Sequence, residues 1–299
     1  MYTIVGKGFG LYGYLPAIMM NQSNLVLSSE YKLNIEKRKD INQYINRIKW
    51  TQSIEESIHL SNNIILAIPP KEQFKFLHEK EINISNKTIF LEKPIASSPK
   101  ESFILLKFLE EKKIKFYVNY SFIYLDWFKN LYHKINSLKP DAVIKITWEF
   151  KAHFLMNNFM NWKSDFKLGG GILRFYGIHL MAVLAALNYE NCKIIKLKNN
   201  AETIVYKIIN SNKPIIKISI NINSFRDIFS INIFDKNIKN KEILIDIKDP
   251  FERQKNIKLT QLDRRVETLR NYLIEKDNFI QNLIFNKKVI KLWSDIEAG

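Results

Sequence analysis

Through the first part of the chain, short runs of apolar residues alternate with longer stretches whose apolar positions recur at helical spacing. Such alternation is what a parallel sheet covered by helices produces. The runs predict strands at Tyr2 to Val5, Leu25 to Ser28, Asn63 to Ile68, Thr88 to Leu91 and Lys115 to Asn119, with a short one near Arg47 to Trp50. The stretches between them predict helices over Tyr14 to Asn21, Asn34 to Asn46, Lys71 to Lys80 and Lys100 to Lys112.

Beyond Asn119 the pattern changes. Ser121 to Ser137 reads as an aromatic-rich helix, after which strands dominate: Val143 to Phe150, Ile194 to Leu197, Thr203 to Ile209, Pro214 to Ile222, Asp227 to Phe234 and Glu242 to Ile247. Their β-branched and aromatic residues, separated by turns rich in Asn, Lys and Asp, predict a mainly antiparallel sheet. Such a sheet is covered on one face and open on the other. A helix over Ile172 to Leu187 interrupts the strands, and an amphipathic helix over Leu262 to Phe285 closes the series. The expected division is a first domain over 1–119 and an α+β domain over 120–299 that binds substrate and supports dimerisation, its last helix free to pack back on the first domain.

Composition narrows the class. A chain of 299 residues with 46% hydrophobic content can build ordinary cores. The longest apolar runs, such as Ile64 to Pro70 and Leu180 to Leu187, are short for a bilayer, and the first residues lack a basic region followed by a long apolar stretch. The expectation is a cytoplasmic protein with no membrane partner. The single cysteine, Cys192, can form neither an internal disulfide nor a cysteine metal cage, so no metal is expected. The net charge of +16 raises the question of nucleic acid. The excess is lysine scattered along the chain with no basic block beside a nucleic-acid motif, so compositional bias accounts for it and no nucleic-acid partner is expected. A basic field also attracts anionic small molecules, such as a nucleotide or a phosphorylated sugar.

The first candidate chemistry follows the first strand, at Gly6-Lys7-Gly8-Phe9-Gly10-Leu11-Tyr12-Gly13. Glycines there permit a sharp turn and let a pyrophosphate approach the backbone at the positive end of the next helix. Two registers compete. Gly8, Gly10 and Gly13 match G-x-G-x-x-G literally but start late, whereas Gly6 and Gly8 follow the strand directly, with Leu11 where a third glycine is expected. The first position after the strand favours Gly6, with Gly10 keeping the loop open. Glu30, after the second strand, stands where a carboxylate meets the ribose hydroxyls of NAD. It would repel the extra phosphate of NADP, although the neighbouring Tyr31 and Lys32 leave NADP open. Ile68-Pro69-Pro70 ends the fourth strand at the carboxyl edge of the sheet, where ligands bind in open α/β folds. The reading is a doubly wound Rossmann domain that binds a dinucleotide through Gly6, Gly8, Phe9, Gly10, Leu11, Glu30 and the Ile68 to Pro70 turn.

Thr88 to Leu91 runs into Glu92-Lys93-Pro94, which places a lysine at the same edge in a turn stiffened by proline. A lysine so placed can hydrogen-bond a substrate oxygen and stabilise developing negative charge. In the second half, Trp162-Lys163-Ser164-Asp165 leads to Gly169-Gly170-Gly171 and then Gly177-Ile178-His179. Together these segments resemble the glucose-fructose oxidoreductase and inositol dehydrogenase family, Gfo/Idh/MocA, over nearly the whole chain. The resemblance implies that Lys93 and His179 face the nicotinamide from the two domains, with His179 as general acid and base. It adds Gln73, Glu92 and Lys93 to the cofactor residues; Gln73 stands where many relatives have histidine. It also implies a homodimer or homotetramer.

One departure stands out, since the family's aspartate four residues before the histidine is Phe175 here. Arg174 could bind an anionic group, Phe175 could stack on a sugar or base, and Tyr176 could supply a hydroxyl. With Lys93, Asn119, Tyr120, Trp162 and His179 they form the expected substrate set. The expected function is NAD(H)-dependent hydride transfer at a secondary alcohol or ketone carbon of a sugar, with nucleotide-linked sugars as a class. Two alternatives remain: a catalytically silent dinucleotide-binding or regulatory protein, and a reductase of an imine or a linear tetrapyrrole.

Overall fold

A computed structural model describes residues 1–78, 84–159, 161–235, 241–252, 262–275 and 283–298. The chain divides into two compact units. One comprises Met1–Ser121 with the described part of Arg253–Asn286; the other comprises Phe122–Glu252 with Lys287–Gly299.

The first unit is built on strands β1 (Tyr2–Val5), β2 (Leu25–Ser28), β3 (Ile48–Thr51), β4 (Asn63–Leu66), β5 (Thr88–Leu91) and β6 (Lys115–Val118). They form one sheet, all parallel, in the order β3-β2-β1-β4-β5-β6. Ile4, Leu27, Ile64, Ile65, Leu66, Ile89, Phe90 and Leu91 are buried, as a sheet covered on both faces requires. The order reverses between β1 and β4, and there the first turn lies. Its helices are α1 (Leu15–Met20), entered through a π-helical turn at Gly10–Tyr14, then α2 (Lys32–Glu36), α3 (Ile54–Leu60), α4 (Pro70–His78) and α5 (Pro99–Glu111).

Several elements differ from expectation. The predicted helix over Asn34 to Asn46 is two pieces, α2 and a 3-10 segment Asn42–Arg47, with the Arg38 side chain bonded to Asp40 between them. Helix α3 was not expected, yet its start is capped by the Ser53 side chain. Ser53 Oγ accepts from Glu56 N–H, and Glu56 Oε2 accepts from Gln52 N–H.

The second unit opens with a 3-10 turn at Ser121–Tyr124 and α6 (Asp126–Ile135), where one continuous helix from Ser121 to Ser137 was expected. Its strands are β7 (Val143–Lys151), β8 (Lys193–Asn199), β9 (Thr203–Asn210), β10 (Lys213–Asn221), β11 (Asn223–Phe234) and β12 (Glu242–Ile247), with a short α7 (His153–Met156) after β7. The sheet order is β12-β11-β7-β10-β9-β8, antiparallel except for the β7–β10 pair. One face buries Ile144, Ile146, Trp148, Ile204, Tyr206, Ile208, Ile216, Ile218, Ile220, Phe229 and Ile231. Helix α8 (Ile178–Ala186), preceded by a π-helical turn at Ile172–Gly177, is buried almost all round. The helical stretch Phe166–Ala186 is long and apolar enough to cross a membrane by composition, but it is mostly buried, as a core helix is. That stretch is longer than the apolar run counted from the sequence.

The expected helix over Leu262 to Phe285 is also redrawn. Helix α9 (Arg265–Glu275) packs in the first unit, where Tyr272 meets Phe90 edge to face at 5.9 Å and Arg270 donates to Asn21. Residues 276–282 lie outside the described ones. Helix α10 (Leu283–Ala298) then runs well past Phe285, burying Val289, Ile290, Leu292, Trp293 and Ile296.

Candidate active site

In the first unit the glycine turn lies over the crevice between β1 and β4. Gly6 has φ +133, and a Cβ on it would collide with the backbone oxygen of Ala67. Only glycine can hold that place. A Cβ on Gly10 would press on Ile4 and Ala67, whereas one on Gly8 would meet nothing within 4 Å. The space over Gly8 is therefore open and the flanks of the turn are closed. The Gly6 N–H donates to Tyr31 Oη (3.2 Å), so the residue after Glu30 braces the turn. Burial raises the Tyr31 pKa to about 12, which keeps its hydroxyl neutral.

Phe9 packs edge-on against Tyr12 and Tyr14, with the Arg265 guanidinium 4.6 Å over its ring. Leu11 is a core residue. Glu30 is exposed after the end of β2, its carboxylate 3.8 Å from Lys7 Nζ. Ile68 and Pro69 are half-buried and Pro70 is buried at the start of α4. A turn closed to side chains but open over Gly8, with a carboxylate at the next strand end, fits a dinucleotide.

Two strands along the sheet from β1, the end of β5 carries Glu92-Lys93-Pro94 with a cis Lys93-Pro94 peptide. Tyr14 Oη donates to Glu92 Oε1 (2.5 Å), and Asn119 Nδ2 donates to the same atom (2.8 Å). Ser121 Oγ in turn donates to Asn119 Oδ1 (2.8 Å). Desolvation pushes the Glu92 pKa up, against these hydrogen bonds and the Lys93 charge. Tyr14 is held far above its ordinary value by burial and by Glu92. Asn119 and Tyr120 are each only 1% exposed, so the first is engaged with Glu92 and the second, packed edge-on against Phe285, sits in the core. Gln73 is wholly buried beneath the same turn, with its carboxamide bonded to the main chain of Glu92 and Ile95.

In the second unit His179 lies on α8, 6% exposed, with the Phe122 ring stacked on it. Phe122 also contacts Trp127, Trp148, Phe229 and Phe251, so the imidazole borders an aromatic cluster. Phe175 and Tyr176 are half-buried; Phe175 meets Trp162 edge to face at 5.3 Å, with Lys163 Nζ 5.3 Å from its ring centroid. Tyr176 packs against Trp148 and Phe150. Gly170 leaves no room for a side chain against the backbone of Trp162 and Lys163, which explains part of the glycine triplet.

Arg174 departs from the expected role of anion binder. Its Nε and Nη2 donate to the two Glu297 oxygens (2.7 and 2.8 Å), and the guanidinium lies 3.4 Å over Phe166. Arg174 is buried and Glu297 half-buried, and the pair ties the turn before α8 to α10. Sequence reasoning missed Tyr14, Tyr31 and Phe122. Tyr31 adjoins a residue already singled out, but no local pattern marks the other two. Among the described residues no cluster of His, Cys, Asp and Glu is placed to hold a metal ion.

Comparison with known proteins places this geometry. Residues 1–120 match the family described as oxidoreductase family, NAD-binding Rossmann fold, GFO_IDH_MocA. No curated protein sequence matches the chain. Among solved structures, the WlbA dehydrogenase of Bordetella pertussis in complex with NADH and UDP-GlcNAcA is 12% identical with a TM-score of 0.72, covering 99% of this chain and 95% of that one. The WlbA (WbpB) dehydrogenase of Thermus thermophilus with NAD and UDP-GlcNAcA is 13% identical with a TM-score of 0.68, covering 98% and 93%. A myo-inositol dehydrogenase of Corynebacterium glutamicum is 14% identical with a TM-score of 0.69, covering 100% and 96%. At these identities the likeness is one of fold. Over its first 120 residues the chain therefore matches the NAD-binding Rossmann fold of the Gfo/Idh/MocA oxidoreductase family.

Proposed function

We propose that this oxidoreductase acts on a sugar, moving a hydride to or from a secondary alcohol or ketone carbon, with nucleotide-linked sugars as its substrate class. The observation that carries the reading is the Glu92-Lys93-Pro94 turn at the end of β5, two strands from the glycine turn, with Glu92 anchored by Tyr14 and Asn119. The net charge of +16 suits an anionic substrate, and three of the structures sharing the fold hold UDP-GlcNAcA.

Bound NAD supplies the hydride acceptor, and NADH the donor. Glu30 accepts from ribose hydroxyls, and the Gly6 to Gly10 turn receives the pyrophosphate. The Lys93 ammonium donates to the substrate oxygen and stabilises its developing negative charge. His179 exchanges the hydroxyl proton, a task suited to an imidazole whose ordinary pKa lies near neutrality. Trp162, Phe175 and Tyr176 offer aromatic faces to the sugar or base. The enzyme works in the cytoplasm as a homodimer or homotetramer assembled through the open face of the second sheet. On that face Lys207, Lys217 and Lys145 stand directly opposite one another on three adjacent strands, so assembly there strengthens as salt screens them.

A silent dinucleotide-binding protein is the second reading, favoured by Phe175 at the aspartate position and by the burial of His179. Fluorescence titration with NADH and NADPH, followed by nicotinamide absorbance with a panel of nucleotide-sugars, separates the two. Turnover that is lost in Lys93→Met and His179→Ala, with dinucleotide binding retained, supports the enzyme. Tight binding without turnover supports the silent protein.

A further inference from the structure

We infer that Gln73 is a positioning residue for Lys93: its carboxamide clamps the Glu92-Lys93-Pro94 turn on both sides of the lysine. The inference rests on the role proposed above for Lys93, although the geometry itself does not. Gln73 Nε2 donates to Glu92 O (2.9 Å) and to Ile95 O (3.0 Å), while its Oε1 accepts from Glu92 N–H (3.1 Å). One side chain thus holds the carbonyl just before Lys93 and a carbonyl two residues after it. The Glu92 N–H is shared with Leu66 O (3.2 Å), which adds the end of β4 to the same junction.

The clamp is itself anchored. Gln73 N–H donates to Pro69 O (2.8 Å), closing the first turn of α4. The Ile68 to Pro70 turn and the lysine turn are therefore joined through one residue, the first by its main-chain N–H and the second by its side-chain carboxamide. Burial makes this rigid: with Gln73 fully enclosed, each unpaired donor or acceptor would remain desolvated. A cofactor-contacting side chain would need its amide free and open to solvent, and neither condition holds. An apolar residue of similar size would fill the space and release the turn, so the amide chemistry, not the volume, places the lysine.

The test reads Lys93 directly. Wild type, Gln73→Leu and the isosteric Gln73→Glu are labelled competitively with an amine-acylating reagent across a pH series, and each lysine is followed by peptide mass spectrometry. Lys71 and Lys75 on the same helix serve as internal references. The expected result is a change of several-fold in the Lys93 labelling rate in both variants, with the references unmoved and Gln73→His recovering part of the wild-type rate. Gln73→Glu keeps the acceptor and, when ionised, loses both donors to Glu92 O and Ile95 O. An unchanged Lys93 rate in folded Gln73→Glu overturns the inference. With a turned-over substrate, kcat falls by on the order of 10²-fold in Gln73→Leu while NADH affinity holds. If wild type turns over nothing, the proposed reaction fails and the labelling still decides the clamp.

Discussion

Phe122 lies flat on the imidazole of His179, ring centroids 4.5 Å apart and planes 16° from parallel. Neither residue can turn without disturbing Trp127, Trp148, Phe229 or Phe251. The ring thereby fixes the plane in which His179 presents its nitrogens. Phe122→Leu is expected to keep the fold and NADH affinity but to lower turnover by roughly tenfold, as a misplaced catalytic group does. Phe122→Ala, at a fully buried site, is expected to cost about 3–5 kcal/mol in denaturant unfolding. Unaltered turnover in the leucine variant would remove the positioning role.

Gly6 and Gly8 differ in what a methyl group would meet. Gly6→Ala drives a Cβ into the Ala67 carbonyl at a positive φ, so a lowered melting temperature is expected with or without dinucleotide. Gly8→Ala meets no protein atom, so its unfolding in the absence of dinucleotide should match wild type. Its NADH affinity should nonetheless fall, because the methyl occupies the space proposed for pyrophosphate. Fluorescence titration checks this, and wild-type affinity in Gly8→Ala would move the phosphate site elsewhere.

The raised pKa of Glu92 carries a pH signature. A carboxyl whose folded-state pKa lies above its unfolded value is favoured by folding in its protonated form. Its contribution is complete below the ordinary value of 4.5 and is lost as pH rises through the folded-state value. Glu92→Gln keeps the acceptor for Tyr14 and Asn119 and removes the titration. Urea unfolding of the two proteins should show wild-type stability declining relative to the variant as pH rises from 4.5. Parallel curves would mean that Glu92 titrates as it does in the unfolded chain.

The Arg174–Glu297 pair joins the turn before α8 to α10, and Trp293 Nε1 also donates to Glu297 (2.7 Å). Arg174→Met leaves a carboxylate largely buried without its cation, which costs about 3–5 kcal/mol when one partner of such a pair is removed. Adding Glu297→Leu should restore much of the loss, since apolar replacement of both partners is close to neutral. Calorimetric melting of the single and double variants measures the difference. A substrate-affinity change without any loss of stability would instead return Arg174 to the substrate site.

Local pattern determined a good deal of this protein. The apolar runs located the parallel strands to within a residue or two, because a strand buried on both faces leaves a short, continuous signature. The glycine turn and the Glu92-Lys93-Pro94 turn were legible because special backbone geometry demands special residues. Ser53 and Glu56 wrote the start of α3 in the same way, although apolar periodicity alone passes over so short a helix.

Tertiary structure decided the partners. Arg174 and Glu297 are 123 residues apart, and Tyr14 and Glu92 are 78 apart. A charged or hydroxyl side chain looks the same in sequence whether it meets a ligand or a buried partner. Gln73, Asn119 and Arg174 therefore read as ligand-binding residues until the fold engaged them with protein atoms. The return of α9 to the first unit is of the same kind: an amphipathic helix announces that it must bury one face, but only the assembled core determines which surface receives it.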